Sequence, residues 1–166
     1  PRRVQLAVAG AHNVANALAA AGLALAAGLE PELIAERLGS VSIESPHRMD
    51  VSELSGDLLL IDDSYNANID SMTAALAALP ALAGSRRRVV VVSEMLELGE
   101  SSAADHARTG ELAAQAGAAM LIGIGSTQEA LDAARARGVE VVGFEDSATA
   151  ISQIDALLSD GDAVLV

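Results

Sequence analysis

The sequence has no cysteine, no tryptophan and no lysine; its ten cationic positions are all arginine. The first absence removes disulfide and thiolate-metal chemistry, and the last removes any mechanism that must draw a lysine amine from this chain. Aromatic residues make up 1% of the 166, and Tyr65 and Phe144 are the only rings, so the 51% of hydrophobic residues have to build a core from aliphatic side chains and alanine. That composition suits helices packed on a sheet better than an aromatic-rich sandwich. Positive charge is scarce too. The formal net charge is −13 and the longest basic run is Arg86, Arg87, Arg88, whereas nucleic-acid phosphates ask for a positive surface; no nucleic-acid partner is expected. Neither a 20-residue apolar span nor a signal-peptide pattern occurs, so no membrane association and a cytoplasmic location are expected. The chain opens at Pro1 and stops at Val166 inside an apolar run, and reads as a piece excised from a longer protein.

What is present is a regular alternation. Val4 to Val8 suits a short strand, and GAHNVANALAAAGLALAAG reads as a helix with Asn13 near its start and Gly28 as its left-handed stop. A second helix runs from Pro31 to Leu38. Residues 39–46, GSVSIESP, carry turn and breaker residues and mark a domain boundary. Beyond it, RMDVSEL and LLLIDD read as strands around an SGD turn, followed by a helix with Asp70 as its cap. Strands RRVVVVSE, AAMLIGIG, VEVVGF and DAVLV then alternate with helical stretches. This spacing predicts an α/β fold: a Rossmann-like, open, mostly parallel sheet with helices on both faces. Ligands of such sheets gather at the carboxyl ends of the strands.

Several polar groups fall at those ends. Asp62 and Asp63 close one strand. Such a pair can hold Mg²⁺, accept the two hydroxyls of a ribose, do acid–base work, or simply make a helix-entry turn in which side chains bond backbone amides. Asn66 and Asn68 follow, offering both donors and acceptors to a zwitterion or an amide. Arg48, just past the boundary, can clamp a phosphate in a bidentate fork or lie on a solvated edge. His12, Asn13 and Asn16 sit on the first turn of a helix, where free amides and the positive dipole end favour a phosphate or a polar base; Asn13 alone could be a mere cap. Glu94, Glu97 and Glu100 could face a cationic or zwitterionic ligand or complement a helix dipole, the second reading being preferred for Glu100. Gly123 and Gly125 in GIGSTQ lack the third glycine of a dinucleotide fingerprint and read as a tight turn.

Taken in order, GAHNVANALAA, SPHRMDV, DDSYNANIDSM and SEMLELGE followed by His106 resemble the Mur ligases, the ATP-dependent amide-forming enzymes of peptidoglycan precursor synthesis. The resemblance covers nearly the whole chain and implies that residues 1–43 are the tail of a central ATP-binding domain and residues 44–166 a carboxyl-terminal Rossmann-like ligase domain lacking its last residues. It implies ATP and Mg²⁺ as cofactors, the metal ligands lying mainly in the missing part of the central domain. DSYNAN with DSM, and EMLELGE, point within the family to UDP-N-acetylmuramoyl-tripeptide and D-alanyl-D-alanine as partners, together with the rest of the parent chain. By this resemblance His12, Asn13 and Asn16 lie against adenine, Arg48 is catalytic and reaches the ATP phosphates, Asp63 holds the ribose, and Asn66, Asn68 and His106 serve the dipeptide. Asp62 receives no role. The chain departs from the family pattern at Ile69, where proline is expected in NPDS, and at Ser93 and Glu94, where LGDM is expected. The phosphate loop with its lysine, the modified lysine and the KGSR string are absent, so the chain alone is expected to be inactive. The alternatives are another Mur ligase, a folate polyglutamate ligase, or a receiver-like signalling domain, the last weakened by the lack of lysine.

Overall fold

The computed structural model describes residues 3–6, 11–41 and 47–166, and of residues 11 and 12 the backbone alone. The boundary expected at 39–46 therefore falls mostly outside the described residues. Two helices come first, α1 (Ala11–Ala26) and α2 (Pro31–Gly39). Gly28 ends the α1 region at φ 84°, and the Gly28 and Leu29 amides turn back to the Leu25 and Ala24 carbonyls at 3.0 Å each, the reversal that glycine makes without a Cβ penalty. Pro31 stands in the first turn of α2, where its missing N–H costs no hydrogen bond. Of the strand expected from Val4 to Val8, residues 4–6 are described and carry none, while residues 7 and 8 lie outside the described residues; the six described strands all come from the later part of the chain.

That later part alternates as its pattern predicts: β1 (Asp50–Leu54), β2 (Leu58–Asp62), α3 (Ile69–Ala83), β3 (Arg88–Ser93), α4 (Ser102–Gln115), β4 (Met120–Ile124), α5 (Gln128–Arg135), β5 (Glu140–Phe144), α6 (Ser147–Gln153) and β6 (Ala163–Leu165). The strands lie in the order β1-β2-β6-β3-β4-β5. β1 runs antiparallel to β2, and every other pairing is parallel. Side chains alternate across the sheet with period two. Val90, Val92, Leu121, Ala163 and Leu165 pack on one face beneath α3, α4 and α5, through Leu76, Leu79, Leu112, Ala130 and Leu131. Val89, Val91, Met120, Ile122 and Val164 face the other way, against Phe144, Ala150 of α6 and the turn that follows it. The short valine run of β3 is apolar throughout because both its faces are covered.

The helix α3 corrects one expectation. Its cap is Asn68, not Asp70: Asn68 Oδ1 accepts from the Ser71 amide at 2.9 Å while Ser71 Oγ accepts from the Asn68 amide at 3.1 Å. This reciprocal box satisfies two amides that the helix leaves free, a contribution of about 1 kcal/mol. At the opposite ends of the strands each member of the arginine run has a partner. Arg86 pairs with Asp57 at 2.8 Å, Arg87 with the buried Asp162 at 2.7 Å, and Arg88 donates to the carbonyls of Ala116 and Gly84.

The sheet positions the site in two ways. Its five parallel strands deliver the loops after β2, β3 and β4 to one edge, and the antiparallel β1 begins at that same edge, with Asp50 paired to Asp62. Residues 47–49 therefore enter the domain directly beside the end of β2.

Candidate functional site

Two cavities open along this edge. One, of about 530 Å³, lies between α1 and the start of α3 and is lined by Asn13, Asn16, Arg48, Asp63, Tyr65, Asn66 and Asn68 among others. The second, of about 590 Å³, lies over the carboxyl ends of the strands, with Ser64, Ser93, Glu94 and Glu97 at its polar rim and Val91, Ile124 and Leu165 on its floor. Asp63 and Asn66 line both, so they form the partition. Six of the eight residues singled out from the sequence thus meet in one cleft. His12 lies in the first turn of α1, but its side chain is outside the described residues.

The IDDSYNAN segment is built as a clasp. Asp63 continues the line of β2, its amide bonded to the Val166 carbonyl at 2.8 Å, and its Oδ1 accepts from the Met49 amide at 2.9 Å. Asp62, for which the sequence offered no role, faces the other way. One of its oxygens lies 2.6 Å from His47 Nδ1, and the other accepts from the Ser64 amide and hydroxyl at 3.1 and 2.7 Å. The Tyr65 amide donates to the His47 carbonyl at 3.0 Å. Residues 47–49 are thereby stapled to residues 62–65, although His47 and Met49 occupy left-handed backbone at φ 63° and 51°, conformations unfavourable for residues with a Cβ. Arg48 lies between them with its guanidinium carbon 4.0 Å from the centre of the Tyr65 ring. Neither His47 nor Tyr65 was singled out as a site residue. A histidine fifteen positions from its aspartate leaves no spacing signal, and only the antiparallel β1–β2 hairpin brings the two together.

Burial alone would raise the Asp62 pKa, but the His47 hydrogen bond, the two from Ser64 and the attraction of His47 outweigh it and hold the carboxyl below its ordinary 3.8. A folded-state pKa below the unfolded one stabilises the fold fully above the unfolded value, and that contribution is lost as pH falls through the depressed folded value. Stability of Asp62→Asn is therefore expected to fall less steeply than that of the parent as pH drops below 3.8. Urea titrations at a series of acid pH values measure this, and parallel curves for the two proteins would refute it.

The other candidates separate. Asn16 Nδ2 donates to Asn13 Oδ1 at 3.3 Å, so the pair presents one linked amide surface to the cleft. Asn66 stands exposed on the partition. Asn68 uses its side-chain oxygen to cap α3, which leaves its amide nitrogen as the group it can offer a ligand. His106 lies outside the lining of both cavities. It is 4% exposed, and its Nε2 accepts from the Met95 amide at 2.9 Å. Since that amide can only donate, Nδ1 carries the proton and bonds the Ser102 carbonyl at 2.8 Å. His106 thus ties the loop that holds Glu94 and Glu97 to α4 rather than presenting a face to the cavity. Glu100 sits in the turn before α4, as its helix-entry reading implies. Gly125, at φ 75°, makes the tight turn expected of GIGSTQ, with the Thr127 amide donating to its carbonyl at 2.9 Å.

A family model described as Mur ligase, glutamate ligase domain, matches residues 47–166. The chain belongs to the Mur ligase family. The family match also sets aside the receiver-like alternative. Among its relatives, the UDP-N-acetylmuramoyl-tripeptide–D-alanyl-D-alanine ligase of Mycobacterium leprae is 38% identical over 98% of this chain and 35% of its own length. A crystal structure of MurF from Acinetobacter baumannii superposes with a TM-score of 0.80 at 30% identity, covering 98% of this chain and 35% of that one. The ligase MurF from Thermotoga maritima, solved in complex with ADP, shares the fold at a TM-score of 0.74 and 24% identity, over 98% of this chain and 36% of its own. The chain spans about a third of the length of the curated relatives it matches. The Rossmann-like, mostly parallel sheet expected from the sequence is the fold of these ligases' matching part.

Proposed function

We propose that this chain is the nucleotide-closing and amine-receiving part of an ATP-dependent ligase that joins D-alanyl-D-alanine to UDP-N-acetylmuramoyl-tripeptide. The observation that carries the reading is the single cleft holding Arg48, Asp63, Asn13 and Asn16, with Asn66 on the wall it shares with a second cavity. Relatives named for that activity match over 98% of the chain. Residues 1–43 act as the tail of the central ATP-binding domain and residues 44–166 as the ligase domain. A family match that starts at residue 47 supports this division, as do Leu18 and Leu23 on α1, exposed by 69 and 74%, which suit packing against further protein.

ATP supplies the phosphoryl group that converts a substrate carboxylate into an acyl phosphate, which the dipeptide amine then attacks with loss of inorganic phosphate. The donor set of the cleft fits a nucleotide. Arg48 brings positive charge to the phosphates, where charge develops during transfer. Asp63 has acceptor oxygens for ribose hydroxyls, and Asn13 and Asn16 offer amide groups to a polar base. Asn66 lines the cavity of the incoming dipeptide, whose apolar floor of Val91, Ile124 and Leu165 accommodates small methyl side chains while Glu94 and Glu97 attract its ammonium end. Among the described residues no cluster of three or more histidine, aspartate or glutamate side chains could hold a metal ion, and the resemblance puts the Mg²⁺ ligands mainly outside this chain. None of the described helices is long and apolar enough to cross a membrane.

The test is phosphate release by the full-length ligase carrying this chain. Release is expected only when ATP, UDP-N-acetylmuramoyl-tripeptide and D-alanyl-D-alanine are all present. Turnover with a free amino acid in place of the dipeptide would overturn the substrate assignment. Robust magnesium-dependent ATP hydrolysis by residues 1–166 alone would overturn the division of labour.

A further inference from the structure

We infer that Tyr65 is a positioning residue for Arg48, carrying the guanidinium on the face of its ring so that the donor edge stays open to an oxyanion; this rests on the phosphate role of Arg48 proposed above. An arginine in so acidic a chain is expected to pair with a carboxylate, the geometry its planar fork matches best. Asp50 lies two residues away, and Asp63 and Asp70 line the same cleft. Yet among the described residues Arg48 makes no ion pair, and its one close partner is the Tyr65 ring at 4.0 Å. Two acids at the adjoining strand end have other partners. Asp62 is engaged by His47 and Ser64, and Asp63 directs Oδ1 to the Met49 amide.

The geometry follows from the chemistry of stacking. A guanidinium held by its face over a ring keeps its in-plane N–H donors directed outward, whereas a carboxylate partner would occupy two of them. Tyr65 is itself located by its amide bond to the His47 carbonyl, so ring and arginine are fixed from the same hinge turn. Left-handed backbone at His47 and Met49 flanks Arg48 on both sides. Without the ring, Arg48 is free to swing toward Asp50 or Asp70 and lose its donors to them.

The experiment is a mutant cycle in the full-length ligase, reading kcat and KM for ATP separately. Tyr65→Leu is expected to raise the KM for ATP by about three- to tenfold, and Tyr65→Phe, which keeps the ring face, to restore it to within about twofold. In an Arg48→Ala background the Leu substitution should add nothing, because the residue through which it acts is gone. Tyr65 is 58% exposed, so these variants are expected to fold, and equal melting temperatures check this. An equal rise of KM in both backgrounds, a Phe variant as impaired as Leu, or a silent Leu variant would each overturn the positioning role. If Arg48→Ala cripples the enzyme while Tyr65→Leu is silent, the positioning role alone fails. If Arg48→Ala is itself silent, the phosphate reading fails and this inference goes with it.

Discussion

Gly110→Ala is expected to destabilise the sheet domain by about 3 kcal/mol or more, at or beyond the upper end of ordinary overpacking. Gly110 is buried on α4, where that helix meets α5. A Cβ added there would stand 2.9 Å from the carbonyl carbon of Ala130 and closer still to its oxygen. These are backbone atoms of α5 and cannot rotate aside, so one helix would have to move as a body. Neither can do so cheaply. Leu112 and Ala113 of α4 and Ala130, Leu131 and Ala134 of α5 belong to the same buried cluster as the inner face of β3 and β4, and close-packed interiors transmit such displacements instead of absorbing them. The denaturation midpoint of the purified protein measures the effect. A midpoint within the equivalent of about 1 kcal/mol of the parent would mean that the two helices do not approach this closely.

That contact was invisible in the sequence, where nothing marks Gly110 as the point at which α5 approaches. The alternation itself was legible: the valine run of β3 and the glycine and serine stops around α4 carry period and punctuation that need no tertiary information. Helix caps were less so. Asp70 and Asn68 are both good cap residues two positions apart, and the choice fell to Asn68 because Ser71 sits three residues after it and closes the reciprocal box. In the candidate site, Arg48, Asp63 and Asn66 could be collected because each stands in a short string with its own chemistry. Their partners could not. His47 reaches Asp62 across a hairpin, Met49 contributes only its amide, and Tyr65 acts through a ring face, none of which leaves a spacing pattern. His106 stands apart from the cleft: its string resembles the family's, and its two ring nitrogens bond the Met95 amide and the Ser102 carbonyl.

Arg48→Ala is expected to reduce the turnover of the full-length ligase by about 10²- to 10³-fold, the range seen when one preorganised charge or donor is removed from a site where negative charge develops. The stability cost should be small. Arg48 is exposed, and the contact it gives up is one cation–π pair, worth about 0.5–1 kcal/mol at such a site. The hinge turn survives its loss, because the staples that hold it run through the His47 side chain and carbonyl and the Met49 amide, none of which belongs to Arg48. Activity and stability are therefore separable at this position, which makes the substitution a clean test. Arg48→Lys sharpens it. Lysine keeps the charge but has neither the planar face that stacks on Tyr65 nor the fork that grips two phosphate oxygens, so recovery should be partial, with turnover still about tenfold below the parent. Full recovery by lysine would reduce the role of Arg48 to net charge. Turnover of Arg48→Ala within about threefold of the parent, in a protein that melts normally, would remove Arg48 from the reaction and leave its place in the cleft without a chemical purpose.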